Sequence, residues 1–203
     1  MKKRYKVLFS DIGGVLLSDG WGNETRMAAV EKFNIDDNEM EVLHYFISNV
    51  LEMGKISLDD YLDTVVFKEE RNFSRKEFKK FMFAQSVQLP YMLSWMVDWK
   101  HKHENIKVIS INNEPRELNE YRINKFNLHD FFDAFVSSCE VGMRNPDPGI
   151  FLLALGIAQA KPEECIYFDD RIMLVEAAKK VGIHAYHHKD FESTKKIIEA
   201  IEG

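Results

Sequence analysis

Apolar residues along this chain follow three rhythms in turn. A short run at residues 7–9 stops at Ser10 and Asp11, is broken by Gly13 and Gly14, and resumes at residues 15–17. A run this short, ending in an acid and two glycines, predicts a buried strand that carries Asp11 to its C-terminal end. Glycines at that point let the backbone turn sharply and come close to a ligand. From Asn23 to about Leu89 the rhythm is helical, with no strand between. The spacing predicts helices over 24–33 and 37–53, the second with Met40, Leu43, His44, Ile47, Val50 and Leu51 on one face and Gly54 as its stop. Ser57, followed by Asp59 and Asp60, reads as the cap of a third helix to residue 67. Ser74 and Glu77 have capping-box spacing and open a fourth through Phe78, Phe81 and Met82. Pro90 opens a fifth, to about residue 103.

Beyond it the chain alternates. Strands are predicted at 106–111, 134–137, 165–168 and 184–187, and helices at 115–126, 147–155, 172–181 and 191–201. Repeated β-α units imply an α/β fold built on a doubly wound parallel sheet, its crossovers right-handed. The all-helical block falls between the first strand and the remainder, so it is expected as an insertion over the strand C-termini. The expected organisation is a core of residues 1–18 and 90–203 with a helical cap of residues 19–89. No repeats or low-complexity segments interrupt it.

The bulk numbers narrow the function. The chain has 203 residues, 45% of them hydrophobic and 15 of them Phe, enough for one sizeable core with a small insert. A net charge of −6 argues against broad nucleic-acid binding. The basic start, residues 2–4, reads as a solvated tail. No apolar run reaches membrane-spanning length and no cleavable leader pattern follows the basic start, so a soluble, cytoplasmic protein is expected. Cys139 and Cys165 stand far apart without metal or redox spacing, so neither a zinc site nor a disulfide is indicated.

In the predicted topology four strand tips converge. They deliver Asp11, then Asn112 and Asn113, then the loop of Arg144, Asn145 and Pro146, then Asp169 and Asp170. Asp11 alone reads as an acid capping its own loop, and Asp169 and Asp170 alone as caps for the helix at residue 172. Three acids brought together are expensive without a cation between them. A hard dication with oxygen ligands, above all Mg²⁺, suits the place. With a phosphate held against it, the Asp11 carboxylate is placed to attack phosphorus in line.

Four segments, FSDIGGVL, VISINNEPRELNEYR, FVSSCEVGMRNPDPGIF and YFDDR, make the chain resemble the haloacid dehalogenase superfamily over nearly its whole length. The resemblance implies a Rossmann-like core with a cap. It makes Asp11 the nucleophile, and Asp170, with Asp169 beside it, the carboxylates completing a Mg²⁺ site. Phosphatases of the family usually carry a second Asp where Gly13 stands. Gly13 keeps the backbone carbonyl that serves the metal and lacks the side chain that serves as general acid and base. Asn112 and Asn113 fall where phosphoryl oxygens are bound, normally by Ser or Thr then Asn; an Asn amide still donates there. Asn145 replaces a Lys that neutralises nucleophile and phosphate, a loss of a few kcal/mol, on the order of 10² to 10³ in rate. Arg144 beside it, Arg116 and Arg171 are the candidate replacement cations, each read equally as a solvated surface arginine.

Gly14, Trp21, Asn23 and Arg26 are candidates for the substrate pocket, where the chain enters the cap. Trp95 and Trp99, four apart on one helix, read as core packing. His187 and His188 read as a surface pair, and Cys139 has no partner histidine to make it a nucleophile. The leading expectation is a Mg²⁺-dependent phosphatase of a small phosphorylated metabolite, acting through an aspartyl-phosphate on Asp11, as monomer or homodimer. Two other readings stand beside it. Carbon–halogen hydrolysis also dispenses with the second Asp, but in the family it uses the missing Lys and no metal. A domain that binds a ligand or partner without turnover fits the joint departures at Gly13, Asn112 and Asn145.

Overall fold

A computed structural model describes residues 5–202 of the chain. The basic start, residues 2–4, lies outside the described residues. Five strands, β1 (Val7–Ser10), β2 (Lys107–Asn112), β3 (Ala134–Ser137), β4 (Cys165–Asp169) and β5 (His184–His187), form one sheet in the order β3-β2-β1-β4-β5, every pair parallel. The fold is the doubly wound α/β fold expected, with β1 at the centre. A parallel sheet buries both faces, which is why these strands read as near-continuous apolar runs.

Side-chain alternation then splits the core in two. Val7, Phe9, Ile109, Ile111 and Tyr167 point to one face and pack on α8 (Pro148–Ala158) and α9 (Ile172–Val181) through Ile150, Phe151, Ala154, Val175 and Ala178. Leu8, Val108, Ile166 and Phe168 point to the other, against Met92, Leu93, Met96 and Trp99 of α5 (Met92–Lys102) and Ile198 of α10 (Phe191–Glu202). Trp99 is buried and Trp95 packs against this cluster, as core residues should.

Between β1 and α5 lie α1 (Asn23–Phe33), α2 (Asp37–Glu52), α3 (Leu58–Val65) and α4 (Arg75–Ala84). Their apolar cluster is separate, built from Trp21, Met40, Leu51, Tyr61, Leu62, Phe78 and Met82, and closed by Leu118 of α6 (Arg116–Lys125). Both predicted caps form: Ser57 with Asp60, and Ser74 with Glu77, each exchange hydrogen bonds reciprocally.

Three local expectations are corrected. The fifth helix begins at Met92 rather than Pro90, because Tyr91 takes a left-handed φ of 65° that no helix continues through. A four-residue helix, α7 (Ser138–Val141), follows β3 and is too short to leave a periodic signature. His187 and His188 are not a surface pair. His188 is buried with Nδ1 2.7 Å from the Thr194 hydroxyl, and His187 Nε2 donates to the Asp170 carbonyl at 2.8 Å. Among the described residues, no helix is long and apolar enough to cross a membrane.

Candidate active site

The register of the central strands sets the chemistry. Ser10 pairs with Phe168, and the Asp11 N–H donates to the Phe168 carbonyl at 2.9 Å, so the residues that end β1 and β4 stand side by side. Oxygens of Asp11, Asp169 and Asp170 all lie within 4.8 Å of one another. Asp11 is 3% exposed and Asp169 fully buried, so these two carboxylates face a low-dielectric wall, while Asp170 is partly exposed. Burial, with the neighbouring Asp169, pushes the Asp11 carboxyl well above the usual carboxylate range. Burial likewise raises Asp169 and Asp170. Gly14 makes the approach possible: its φ is 67°, and a Cβ there would fall inside the Asp170 carboxylate.

Among the described residues, one cation answers these acids. Arg171 Nη2 is 3.1 Å from Asp11 Oδ2, and its Nε lies 3.6 Å from Asp169 and 3.8 Å from Asp170. The other Asp11 oxygen accepts from the Ile12 N–H at 2.7 Å, which fixes the rotamer. Asp169 accepts from the Arg171 N–H at 2.8 Å and from the Tyr167 hydroxyl. Three converging carboxylates are the hard, oxygen-only donor set that Mg²⁺ takes, so the residues fit that ion.

The loops at the other strand tips are organised differently from what residue type suggests. The Asn112 amide is spent inside the protein: Oδ1 accepts from Ser137 Oγ at 2.9 Å and Nδ2 donates to Asn119 at 3.1 Å. Asn113 clasps the backbone of Asn145, donating to its carbonyl at 3.0 Å and accepting from its N–H at 2.9 Å. The Asn145 side chain is buried, with its Nδ2 3.5 Å from the Tyr167 hydroxyl and its Oδ1 without a partner. Arg144 is drawn to Glu52 at the end of α2, at 2.6 Å, and Arg116 to Glu140 and the Cys139 carbonyl. Arg171, of the candidate cations, is the one brought to Asp11. Cys139 is buried, and burial pushes its thiol up to about 12, which leaves no thiolate.

Above Asp11 opens a cavity of about 250 Å³, lined from below by Asp11, Gly13, Asn113 and Arg171 and from the helical segment by Trp21, Asn23, Arg26, His44, Ser48 and Glu52. Its side walls are Asp19, Glu114 and Arg122. Trp21, Asn23 and Arg26 thus stand in the pocket wall. Each nitrogen of the Arg26 guanidinium is engaged, with two bonds to Glu41 at 2.6 and 2.8 Å and one to the Trp21 carbonyl at 2.9 Å. Trp21 Nε1 donates to the Tyr61 hydroxyl at 3.0 Å, and that hydroxyl lies 2.8 Å from His44 Nδ1. Using every proton in this chain makes Tyr61 the donor to Nδ1, so His44 carries its hydrogen on Nε2. Burial, aided by the Arg26 charge, brings His44 down to about 4, so the ring is neutral.

Residues 5–182 match the family model of haloacid dehalogenase-like hydrolases. The chain belongs to this hydrolase family. A HAD family enzyme from Bacteroides thetaiotaomicron, in a complex with magnesium and inorganic phosphate, shares the fold at a TM-score of 0.75 and 22% identity, over 91% of this chain and 94% of that one. A phosphorylated carbohydrates phosphatase of Thermotoga maritima is 34% identical over 82 residues, 40% of this chain and 38% of that protein. A rat bifunctional epoxide hydrolase 2 is 28% identical over 65% of this chain, and the match spans only 24% of its own length.

Within this HAD-like frame, several pocket residues escaped sequence reasoning. Glu114 and Arg122 form an ion pair that is all but sealed, with Arg122 Nη2 also donating to the Ser18 carbonyl at 2.7 Å. Burial pushes Glu114 up to about 7 despite the guanidinium beside it. Both sit on or before α6, whose apolar pattern is weak, so nothing in the local sequence marks them. Asp19 lies in the loop between β1 and α1, where no motif marks it; burial, with Asp170 nearby, raises its carboxyl.

Proposed function

We propose that this hydrolase is a Mg²⁺-dependent phosphatase of a small phosphorylated metabolite, a polyhydroxylated one, and that Asp11 is its nucleophile. The observation that carries this reading is the buried Asp11 carboxylate at the tip of β1, with two further acids within 4.8 Å and a polar cavity above it. Asp11, Asp169 and Asp170, with the Gly13 carbonyl, would hold Mg²⁺. When bound, the ion offsets the three carboxylates and withdraws charge from a phosphoryl oxygen. The names of relatives support a small phosphorylated metabolite: an Aquifex aeolicus relative, 23% identical over 87% of this chain, is a phosphoglycolate phosphatase, and the relative named for phosphorylated carbohydrates supports the polyhydroxylated class.

The chain's own residues divide the work. Asp11 Oδ attacks phosphorus as the ester P–O bond breaks and the alcohol leaves, and water then hydrolyses the aspartyl-phosphate to phosphate and free Asp11. Arg171 supplies, beside the nucleophile, the positive charge that Asn145 does not. Asn113 holds the loop of Asn145 in place, and the backbone there, rather than the Asn112 amide, meets the phosphate. The helical segment of residues 19–89 acts as the cap. It presents the His44 Nε2–H, Ser48, Asn23 and Glu52 to the substrate's hydroxyls, a mixed set of donors and acceptors in a space too small for a macromolecule.

A binding domain without turnover is the second reading, favoured by the inward-turned amides of Asn112 and Asn145. Phosphate release from a panel of sugar and polyol phosphates, with Mg²⁺ and with chelator, separates the two. Turnover that needs Mg²⁺ and disappears in Asp11→Asn supports the phosphatase. Silence across the panel, with phosphate still raising the Tm in Mg²⁺, makes it the binding domain.

A further inference from the structure

Departure of an alkoxide from phosphorus needs a proton, and attack of water on the aspartyl-phosphate needs a base. Resting on the phosphatase reading, the question is which cavity group supplies both. Among the lining groups, Asp11 is the nucleophile, Glu52 is paired with Arg144, and Glu114 is paired with Arg122. His44 has its Nδ1 committed to Tyr61 and lies on the helical segment. Asp19 remains: a carboxylate on the cavity wall that is hydrogen-bonded and ion-paired to none of the described residues.

Its carboxylate looks onto Gly13 and depends on Gly22 for its position. A Cβ built on Gly13 would stand 3.6 Å from Asp19 Oδ1, in ordinary contact, so Asp19 faces the side-chain space that Gly13 leaves beside Asp11. A Cβ on Gly22 would fall inside the same carboxylate, so Asp19 takes this orientation only because residue 22 has no side chain. Gly22 has an ordinary φ of −74°, so backbone conformation does not require glycine there.

We propose that Asp19 is the general acid and base of the reaction, working from across the gap that Gly13 leaves. In the first step an Asp11 oxygen bonds to phosphorus, the P–O ester bond breaks, and its electron pair takes the proton of the Asp19 carboxylic acid. In the second, the Asp19 carboxylate takes a proton from water as its oxygen bonds to phosphorus. The Asp11–phosphorus bond breaks, releasing phosphate and the free carboxylate.

Leaving-group dependence tests this, because nitrophenolate leaves without a proton and an alkoxide does not. The comparison is kcat/KM for 4-nitrophenyl phosphate and for glycerol phosphate with Mg²⁺, in wild type, Asp19→Asn, Gly22→Ala and Gly13→Asp/Asp19→Asn. Asp19→Asn should lose on the order of 10² to 10⁴ on glycerol phosphate and under about tenfold on the aryl ester. It should also release a burst of one nitrophenolate per active site, since the phosphoenzyme outlives its formation. Gly22→Ala should give the same signature more weakly, and restoring a carboxylate at residue 13 should return alkyl turnover. Equal losses on both esters, or none, overturn the assignment while the phosphatase reading stands. A wild type silent on these esters and on every sugar and polyol phosphate overturns both.

Discussion

Arg171 Nη2 meets Asp11 Oδ2 at 3.1 Å across 160 residues of chain. The contact puts a guanidinium at the carboxylate proposed as the nucleophile, the kind of charge that residue 145 lacks. Arg171 directly follows Asp169 and Asp170, so the turn that delivers two acids also delivers the cation that faces them. Replacing it removes a positive charge from beside Asp11. Arg171→Ala should lower kcat on a phosphate monoester by about 10² to 10³, and Arg171→Lys should keep part of the rate. With the competing cation gone, Mg²⁺ should raise the Tm of Arg171→Ala more than that of the wild type. Equal shifts would show that Arg171 does not share the acids with a metal.

Restoring a lysine at residue 145 should not help. The Asn145 side chain is buried against Tyr167, whose hydroxyl is bonded to Asp169, so a longer, charged side chain would have to displace packed neighbours. Asn145→Lys should cost about 1–3 kcal/mol of stability in denaturant unfolding, with no gain in kcat. A faster enzyme of unchanged stability would place the lost charge back at this position.

Gly14→Ala tests the close approach of the two segments that carry the acids. The left-handed φ of 67° costs a non-glycine residue about 1–2 kcal/mol, and the added methyl would displace the Asp170 carboxylate. The expected result is a lower Tm and a smaller thermal shift with Mg²⁺. An unchanged Mg²⁺ shift would remove Asp170 from the metal site.

His44 makes stability depend on pH in a defined direction. Its value is about 4 in the folded protein against an ordinary 6.5. Between those limits the unfolded chain binds a proton that the folded chain does not, so stability contributed by the neutral ring is lost as pH falls from about 6.5 to about 4. His44→Gln should flatten that part of the urea-unfolding stability profile. A profile identical to the wild type's would mean that His44 is not held neutral.

The fold was legible because its signals were local. Five strand runs, the helix cap at Ser57, the capping box at Ser74, and the helical block between β1 and α5 all lie where the spacing placed them. The acid cluster was legible for the same reason: Asp11, Asp169 and Asp170 end strands whose order follows from β-α repetition. What the sequence withheld was direction. Asn112 reads as a phosphate-facing amide and Asn145 as the residue in the place of a lysine, yet one is absorbed by Ser137 and Asn119 and the other turns to Tyr167. Arg144, Arg116 and Arg171 were equivalent as letters; the positions of Glu52, Glu140 and Asp11 separate them. Arg122 and Glu114 were invisible because a buried ion pair leaves no periodic mark.

The most direct test of the account is to trap the bond it requires on Asp11. Enzyme turning over a phosphorylated polyol in Mg²⁺ would be quenched in acid and treated with borohydride, which reduces an aspartyl-phosphate to homoserine and leaves free aspartate untouched. Peptide mass spectrometry should then find homoserine at residue 11 in the wild type and none in Asp11→Asn. Steady phosphate release with residue 11 recovered only as aspartate would contradict the mechanism.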